Sequence, residues 1–190
     1  MALGAIRANP AKDAPGNARH DKIWRRMYLP FVPVYTLERK QVVAMPLARC
    51  WDFFSDPRNL SKITPPSLNF RVQSELPDRI YAGMMIQYTV SPLFSVPLTW
   101  VTEIVQVAEP HYFADEQRVG PYRMWHHEHF FRALEDGRTE VRDLVHYAPP
   151  FGPFGAIINA LAVRPQLKRI FDFREAVLRD SVTEANSSGR

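Results

Sequence analysis

The side chains best suited to chemistry lie in one stretch, RMWHHEHFFRALEDGRTEVRDLVHYAPPFG, which begins at Arg123. Two alternating runs flank Glu135-Asp136-Gly137, a pattern typical of a β-hairpin. If these three residues form the loop, with the glycine in the left-handed conformation, His129 lies opposite Asp143. A two-residue Asp136-Gly137 turn would instead place Phe130 opposite Asp143. With the three-residue loop, one face of the hairpin holds Trp125, His127, His129, Phe131, Val141, Asp143, Val145 and Tyr147.

This face is suited to acid-base chemistry. A histidine oriented by an aspartate inside an apolar cavity can carry a proton near neutral pH. Cyclisation, dehydration or enolisation of a bound ketone would need such a group. We predict His129 and Asp143 as the acid-base pair, with Tyr147 or Tyr88 placed to polarise a carbonyl.

The same histidines offer a metal-binding alternative. His127 and His129 lie two residues apart on one strand and can supply two ligands, with Asp143 as a third ligand or as the residue that orients them. A recognised metal motif is missing, as are a glycine-rich phosphate loop and a nucleophile elbow. We therefore predict no metal and no cofactor. His126 and His146 are expected to point outward.

The polar residues of this face indicate a partly wet cavity, because an unpaired polar group in a dry core costs about 1–3 kcal/mol. A simpler interpretation is that His129 and Asp143 form only a buried structural pair. Strand 98–107 has two faces that both mix apolar and polar residues, so the sequence does not decide which of them is the interior face. The residues predicted to bind a ligand are Tyr88, Trp100, Phe113, Asp115, Gln117, Trp125, His127, Phe131, Val145 and Phe171.

The elements that must position these residues follow from periodicity. Residues 35–43 alternate as a strand, and two short helices follow, one starting at Pro46 and one at Asp56-Pro57. The first carries the apolar stripe Leu47, Cys50, Trp51 and Phe54, so Cys50 is expected in the core. Alternating segments then continue to 139–147, and a helix runs from about Phe154 to Asp180, kinked or broken at Arg164-Pro165. We predict an α+β fold with a six-stranded antiparallel sheet covered by the long C-terminal helix.

Several segments also carry a family resemblance. WDFFSDPRNLSKITPP, GPYRMWHHEHFF, RDLVHYAPPFGPFG and QLKRIFDFR resemble bacterial ligand-binding members of the SRPBCC superfamily, the START and polyketide-cyclase-like helix-grip proteins. The resemblance spans about 34–180. It implies a curved sheet that grips the C-terminal helix around a hydrophobic tunnel. Known members include lipid carriers and cyclases, so the fold alone does not select a function.

Composition limits the partners. The 190 residues are 46% hydrophobic and 23% charged, which fits one folded domain. Residues 1–33 hold six Lys or Arg against two Asp, which accounts for the whole formal charge of +4 and leaves 34–190 neutral. We therefore expect no nucleic-acid partner. No apolar run is long enough for a transmembrane segment.

The remaining expectations concern organisation and location. The lone Cys50 and the absence of an apolar leader predict a cytoplasmic protein. We predict a disordered basic tail at 1–33, which can contact a partner or a second subunit, the ligand-binding domain at 34–182, and a flexible C-terminus at 183–190. The predicted function is binding of a small hydrophobic ligand, lipid-like or aromatic, between sheet and helix. The alternative is a cyclase or dehydratase using His129 and Asp143.

Overall fold

A seven-stranded antiparallel sheet and a long C-terminal helix form the fold. The structure is a computed structural model that describes residues 33–91, 96–150 and 154–187, all within one compact unit, Val32–Arg190. Residues 1–32 of the predicted tail therefore lie outside the described residues. The strands are β1 (Tyr35–Val43), β2 (Arg71–Val72), β3 (Met85–Val90), β4 (Leu98–Ala108), β5 (Tyr112–Val119), β6 (Met124–Ala133) and β7 (Thr139–Ala148).

The strand order is β1-β7-β6-β5-β4-β3-β2, and the curved sheet does not close on itself. The predicted α+β helix-grip class is confirmed. The prediction of six strands is one short, because β2 adds a two-residue strand beside β3. Just before β2 the chain forms a 3₁₀ turn, Pro66–Leu68, and Asn69 adopts the left-handed conformation. Only Arg71 and Val72 then pair with the sheet.

The β6-β7 hairpin has the predicted three-residue loop. Gly137 adopts φ +80°, and the Leu134 N–H bonds to the Arg138 carbonyl at 2.8 Å. The register pairs His129 with Asp143 and Phe131 with Val141. The two-residue turn is therefore wrong. The loop sets which side chains of both strands face the interior, since a one-residue slip would reverse them all.

Two short helical elements follow β1 along the chain. Helix α1 (Leu47–Ser55) buries Cys50, Trp51 and Phe54, as its apolar stripe predicts. Asp56 then caps a 3₁₀ helix, Pro57–Ser61, by accepting a hydrogen bond from the Arg58 N–H at 3.0 Å. Burial raises the pKa of the Cys50 thiol to about 12, in keeping with a core residue.

The C-terminal helical segment contains the predicted irregularity at Pro165. It consists of α2 (Gly155–Ile158), a π-helical turn (Asn159–Val163) and α3 (Arg164–Ser187). Proline has no N–H to donate to the carbonyl four residues earlier. In the turn before it, the backbone hydrogen bonds reach back five residues instead of four, as in the bond from the Arg164 N–H to the Asn159 carbonyl. The proline thus alters the helix without ending it, and α3 continues past the predicted end at Asp180.

Helix α3 turns one side towards the sheet, and this side contacts two apolar clusters. Leu167 and Phe171 pack with Val145 and Tyr147. Leu178 packs further along with Val43, Trp51 and the rest of the larger cluster. Burial of each such side chain contributes about 1.5–3 kcal/mol. None of the helices in the described part of the chain has both the length and the hydropathy of a membrane-spanning helix.

The left-handed loop residue gives a direct test of the register. We expect Gly137→Ala to lower the free energy of unfolding by about 1–2 kcal/mol, because an added Cβ disfavours this conformation. Nothing lies within 4 Å of that Cβ position, so the loss reflects backbone conformation alone. Gly137→Asn is the matched control, since asparagine tolerates the left-handed region better. Equal urea midpoints for wild type and the alanine variant would contradict the loop assignment.

Candidate functional site

A cavity of about 720 Å³ lies between the sheet and the C-terminal helical segment. This is within the usual range for small-molecule pockets. Most of its walls are apolar, with Ile86, Val90 and Ile104 on the sheet side and Leu167 on the helix side. Three further lining residues, Val96, Leu98 and Val119, are 54%, 36% and 53% exposed. The cavity therefore reaches the protein surface near these residues.

Many of the predicted ligand-binding residues line this cavity. On β4, Trp100 and Thr102 contribute to the wall, which identifies the interior face that the sequence left open. Tyr88 donates or accepts a hydrogen bond with Thr102 at 2.9 Å. The predicted residues that line the cavity are Tyr88, Trp100, Phe113, Asp115, Trp125, His127, His129 and Phe171.

Five predicted site residues do not line the cavity. Gln117 is held by the backbone of Tyr122, to which its amide both donates and accepts hydrogen bonds. The Tyr147 hydroxyl donates to Asn159 Oδ1 at 3.0 Å. Phe131 and Val145 are buried in the two apolar clusters. Asp143 is 2% exposed and lies behind the histidines, where its Oδ1 is 2.9 Å from a nitrogen of each ring. These side chains support the wall rather than form it.

Three neighbouring strands bring two aspartates and two histidines together. Asp115 on β5 lies opposite His127 on β6, and His129 on β6 lies opposite Asp143 on β7. On the cavity side, Asp115 Oδ2 is 3.1 Å from His129 Nε2 and 3.7 Å from His127 Nδ1. On the far side, Asp143 Oδ1 is 2.9 Å from both His127 Nε2 and His129 Nδ1. The two rings thus lie between two carboxylates.

The two contacts to Asp143 differ in quality. His127 Nε2 is hydrogen-bonded to Asp143. His129 Nδ1 is equally close but out of line, and it has no aligned hydrogen-bond partner among the described residues. The predicted His129–Asp143 pair therefore exists as a close contact, while the carboxylate that pairs with His129 on the cavity side is Asp115.

Arg174 completes the cluster, although it is not among the site residues predicted from the sequence. Its guanidinium donates to Asp143 Oδ1 at 3.0 Å and lies over the Phe171 ring at 4.9 Å. The residue is only 7% exposed. A signal was present, because Arg174 is a charge on the otherwise apolar side of the helix, and a buried arginine needs an anionic partner.

The carboxylates of the cluster are held in their ionised forms. Burial opposes ionisation of Asp143, but the charge of Arg174, the hydrogen bond from His127 and the close contact with His129 outweigh it, so the pKa lies well below its usual range. Burial likewise opposes ionisation of Asp115. The hydrogen bond from His129 and the neighbouring positive charges still lower the pKa of Asp115. Asp115 and Asp143 therefore both present negative charge to the histidines.

The two histidines are shifted in opposite directions. Burial, followed by repulsion from His129, lowers the pKa of His127 to about 4. For His129, burial also favours the neutral form, but the hydrogen bond to Asp115 and the nearby Asp143 carboxylate dominate and raise the pKa. His127 is therefore neutral near pH 7, while His129 holds the proton of the pair more strongly. Phe113 stacks on the His129 ring at 4.0 Å and limits its movement.

The Arg174–Asp143 pair predicts a large stability effect. Arg174→Leu leaves the Asp143 charge buried without its cation, and we expect the free energy of unfolding to fall by about 3–5 kcal/mol. Adding Asp143→Asn should recover part of this loss, because the uncompensated charge is removed. Urea unfolding of the single and double variants measures the coupling.

Lys168→Leu is the control for that experiment. Lys168 lies on the same helix and pairs with Asp172 at the surface, with 65% and 42% of the two side chains exposed. Such a pair contributes only about 0–1 kcal/mol. A similar loss from Arg174→Leu and Lys168→Leu, or strict additivity in the double variant, would show that the buried pair does not have this role.

Comparison with known structures places the architecture in a large group. The protein TTHA0849 from Thermus thermophilus superposes with a TM-score of 0.63 at 14% identity, covering 80% of this chain and 99% of that one. An aromatase/cyclase from Streptomyces sp. R1128 gives 0.60 at 15% identity, with coverages of 83% and 97%. A START superfamily protein from Mycobacterium smegmatis gives 0.60 at 10% identity, with coverages of 79% and 98%. At these identities the likeness shows the fold.

The sequence itself carries the family assignment. No curated protein matches this chain. The model of the family described as "Polyketide cyclase / dehydrase and lipid transport" matches residues 43–174. That span contains β2 to β7, both short connecting helices and the part of α3 that reaches Arg174. This chain therefore belongs to the polyketide cyclase / dehydrase and lipid transport family, within the SRPBCC superfamily.

Proposed function

We propose that the protein binds a small hydrophobic ligand, lipid-like or aromatic, in the cavity between the sheet and the C-terminal helix. The cavity of about 720 Å³ is the observation that carries this proposal. Its walls are mainly apolar, and burial of a ligand there releases about 25 cal/mol per Å² of apolar surface. Family membership supports the same class of ligand, since the family description names lipid transport and polyketide enzymes.

The walls favour a ligand with at least one planar ring. Trp100 and Trp125 both line the cavity, with their ring centroids 5.5 Å apart and nearly perpendicular, while Tyr88 stacks on Trp100 at 6.0 Å. Aromatic side chains in such arrangements stabilise a further ring by stacking or edge contacts. Asp115, His127 and His129 form a polar part of the same wall. A ring-bearing ligand with a polar oxygen would match both parts.

A matched pair of variants in the π-helical turn tests the proposal. Ala162 lines the cavity, whereas Ala160, two residues earlier, is exposed and does not. Ala162→Phe places a ring in the ligand volume, and an overlap that costs about 1–3 kcal/mol weakens binding by about tenfold. Ala160→Phe should leave affinity within about twofold.

The measurement is a titration with 1-anilinonaphthalene-8-sulfonate, an aromatic dye whose emission rises in apolar surroundings. Urea midpoints of both variants show that the fold is kept. Equal dye affinity in the two variants, with the wild-type fold retained, would remove the support for ligand binding in this cavity.

A second candidate is an enzyme of the cyclase or dehydratase type that acts on the bound ligand. The position of His129 favours this candidate, because His129 itself lines the cavity, next to Asp115. Reacting groups must be within reach of the substrate, and His129 meets this condition. A dehydratase step would convert the ligand to a product and one water molecule, so the mass of the ligand reports turnover directly.

The carrier and the enzyme give different results with His129→Gln. Native mass spectrometry of the purified protein, followed by extraction, identifies the ligand. Incubation of that ligand with the protein then tests for loss of water, as a dehydratase predicts, and for an isomer of unchanged mass but different chromatographic retention, as a cyclase predicts. An enzyme predicts turnover that His129→Gln abolishes while ligand affinity stays within about threefold. His126→Gln, on the outer face of the same strand, is the control. Absence of turnover in the wild type would reject the enzyme and leave the carrier.

A further inference from the structure

We propose that Asp115, His127 and His129 form a binding site for a divalent transition-metal ion in the cavity wall. The donors are one carboxylate oxygen and two imidazole nitrogens, and all three lie within 4.8 Å of one another. Two histidines and one carboxylate are a common protein donor set for zinc and for non-haem iron. The proposal goes beyond ligand binding and does not depend on it.

The spacing of the donor atoms suits one shared ion. Asp115 Oδ2 is 3.1 Å from His129 Nε2 and 3.7 Å from His127 Nδ1. Tetrahedral bonds of about 2.0–2.1 Å separate neighbouring donor atoms by about 3.3 Å. The two ring nitrogens lie within 4.8 Å of each other, so rotation of the side chains would have to bring them and Asp115 to bonding distance of one ion.

The opposite nitrogen of each ring provides a second, independent observation. A histidine that binds a metal usually presents its other nitrogen to a carboxylate, which fixes the ring orientation. Here His127 Nε2 and His129 Nδ1 are both 2.9 Å from Asp143 Oδ1. Asp143 is in turn fixed by Arg174. The nitrogens left facing the cavity side are those next to Asp115. Asp143 thus orients the His127 ring through a hydrogen bond and lies in close contact with the far nitrogen of His129.

Charge favours a cation at this position. With neutral histidines, Asp115 and Asp143 carry two negative charges against the single positive charge of Arg174. A buried cluster with an excess of negative charge is stabilised by a cation, whether a proton on His129 or a metal ion. The competing explanation is therefore a purely hydrogen-bonded cluster in which His129 keeps its proton. Direct metal binding distinguishes the two.

The position also predicts what the ion would do. All three donors line the cavity, so a further coordination position would face the bound ligand. An open position is typical of catalytic rather than structural zinc sites. An ion placed there would bind an oxygen of the ligand and polarise it. The sequence predicts no metal, and in the metal-binding alternative Asp143 is the third ligand or the orienting residue, whereas the structure places Asp115 on the cavity side.

The test uses the untagged full-length protein, treated with a chelator and then titrated with Zn²⁺ or Co²⁺. We expect one ion per chain, counted by elemental mass spectrometry after gel filtration, and the visible absorption of low-symmetry Co²⁺. Asp115→Asn and His129→Gln should each weaken binding by at least about tenfold. His126→Gln is the matched control, because His126 pairs with Glu116 on the outer face at 3.0 Å. It should bind as the wild type does.

Three results would overturn the proposal: no stoichiometric binding to the wild type, binding unchanged in both cluster variants, or binding lost in His126→Gln. Urea midpoints confirm that each variant is folded, and Asp115→Asn keeps the size of the side chain. The dye titration on the same samples separates this proposal from the proposed function. Dye binding without metal binding would reject the metal site alone, and metal binding without dye binding would reject the apolar ligand alone.

Discussion

The ion pair between Arg174 and Asp143 joins the helix to the sheet at the buried cluster of histidines and aspartates. Both side chains are almost fully buried, at 7% and 2% exposure. Their 3.0 Å contact lies between the two apolar clusters that α3 covers. Apolar contacts alone would allow the helix to shift along the sheet, because they are not directional. A charged hydrogen bond has a defined length and direction, so it fixes the position of the helix over the histidines.

The two aspartates of the cluster have different surroundings, because Asp143 is buried behind the histidines and Asp115 lines the cavity. Asp143 contacts both histidines from behind, and Arg174 compensates its charge. Asp115 contacts them from the cavity side and has no arginine of its own in direct contact among the described residues. The charge of the cluster is consequently compensated on the Asp143 side, while the Asp115 side can be reached from the cavity. This difference explains how polar groups with such low exposure can still form part of the cavity wall.

Much of this arrangement was accessible from the sequence. A three-residue loop with Gly137 was enough to predict that His129 faces Asp143, because side chains alternate strictly along both strands. The apolar stripe of α1 was enough to place Cys50 in the core. The family resemblance and the order of elements agreed on the fold, and both hold in the structure.

What the sequence could not provide depends on distances between strands. The partner of His129 on the cavity side is diagonal to it, on β5, and no periodicity measures a diagonal contact. The sequence predicts Gln117 as a ligand-binding residue, but its amide forms hydrogen bonds with the backbone of Tyr122 instead. To predict that Arg174 pairs with Asp143, the orientation of α3 about its own axis relative to the sheet must be known, and the sequence does not give it. Strand count failed only at β2, where two residues pair.

The unclosed sheet has a consequence for how this scaffold changes over time. In a closed barrel, strand number and stagger together determine the radius, so the interior cannot be resized without rebuilding the hydrogen-bond pattern. Here β1 and β2 are the two edge strands of the sheet and do not pair with each other. The enclosed volume is then determined by side chains on the helical segment and by the curvature of strands that need not meet. Single substitutions at positions such as Ala162 can therefore alter the size of the cavity while the polar cluster on β5, β6 and β7 stays unchanged, so the volume of the cavity and the polar groups in its wall can evolve independently.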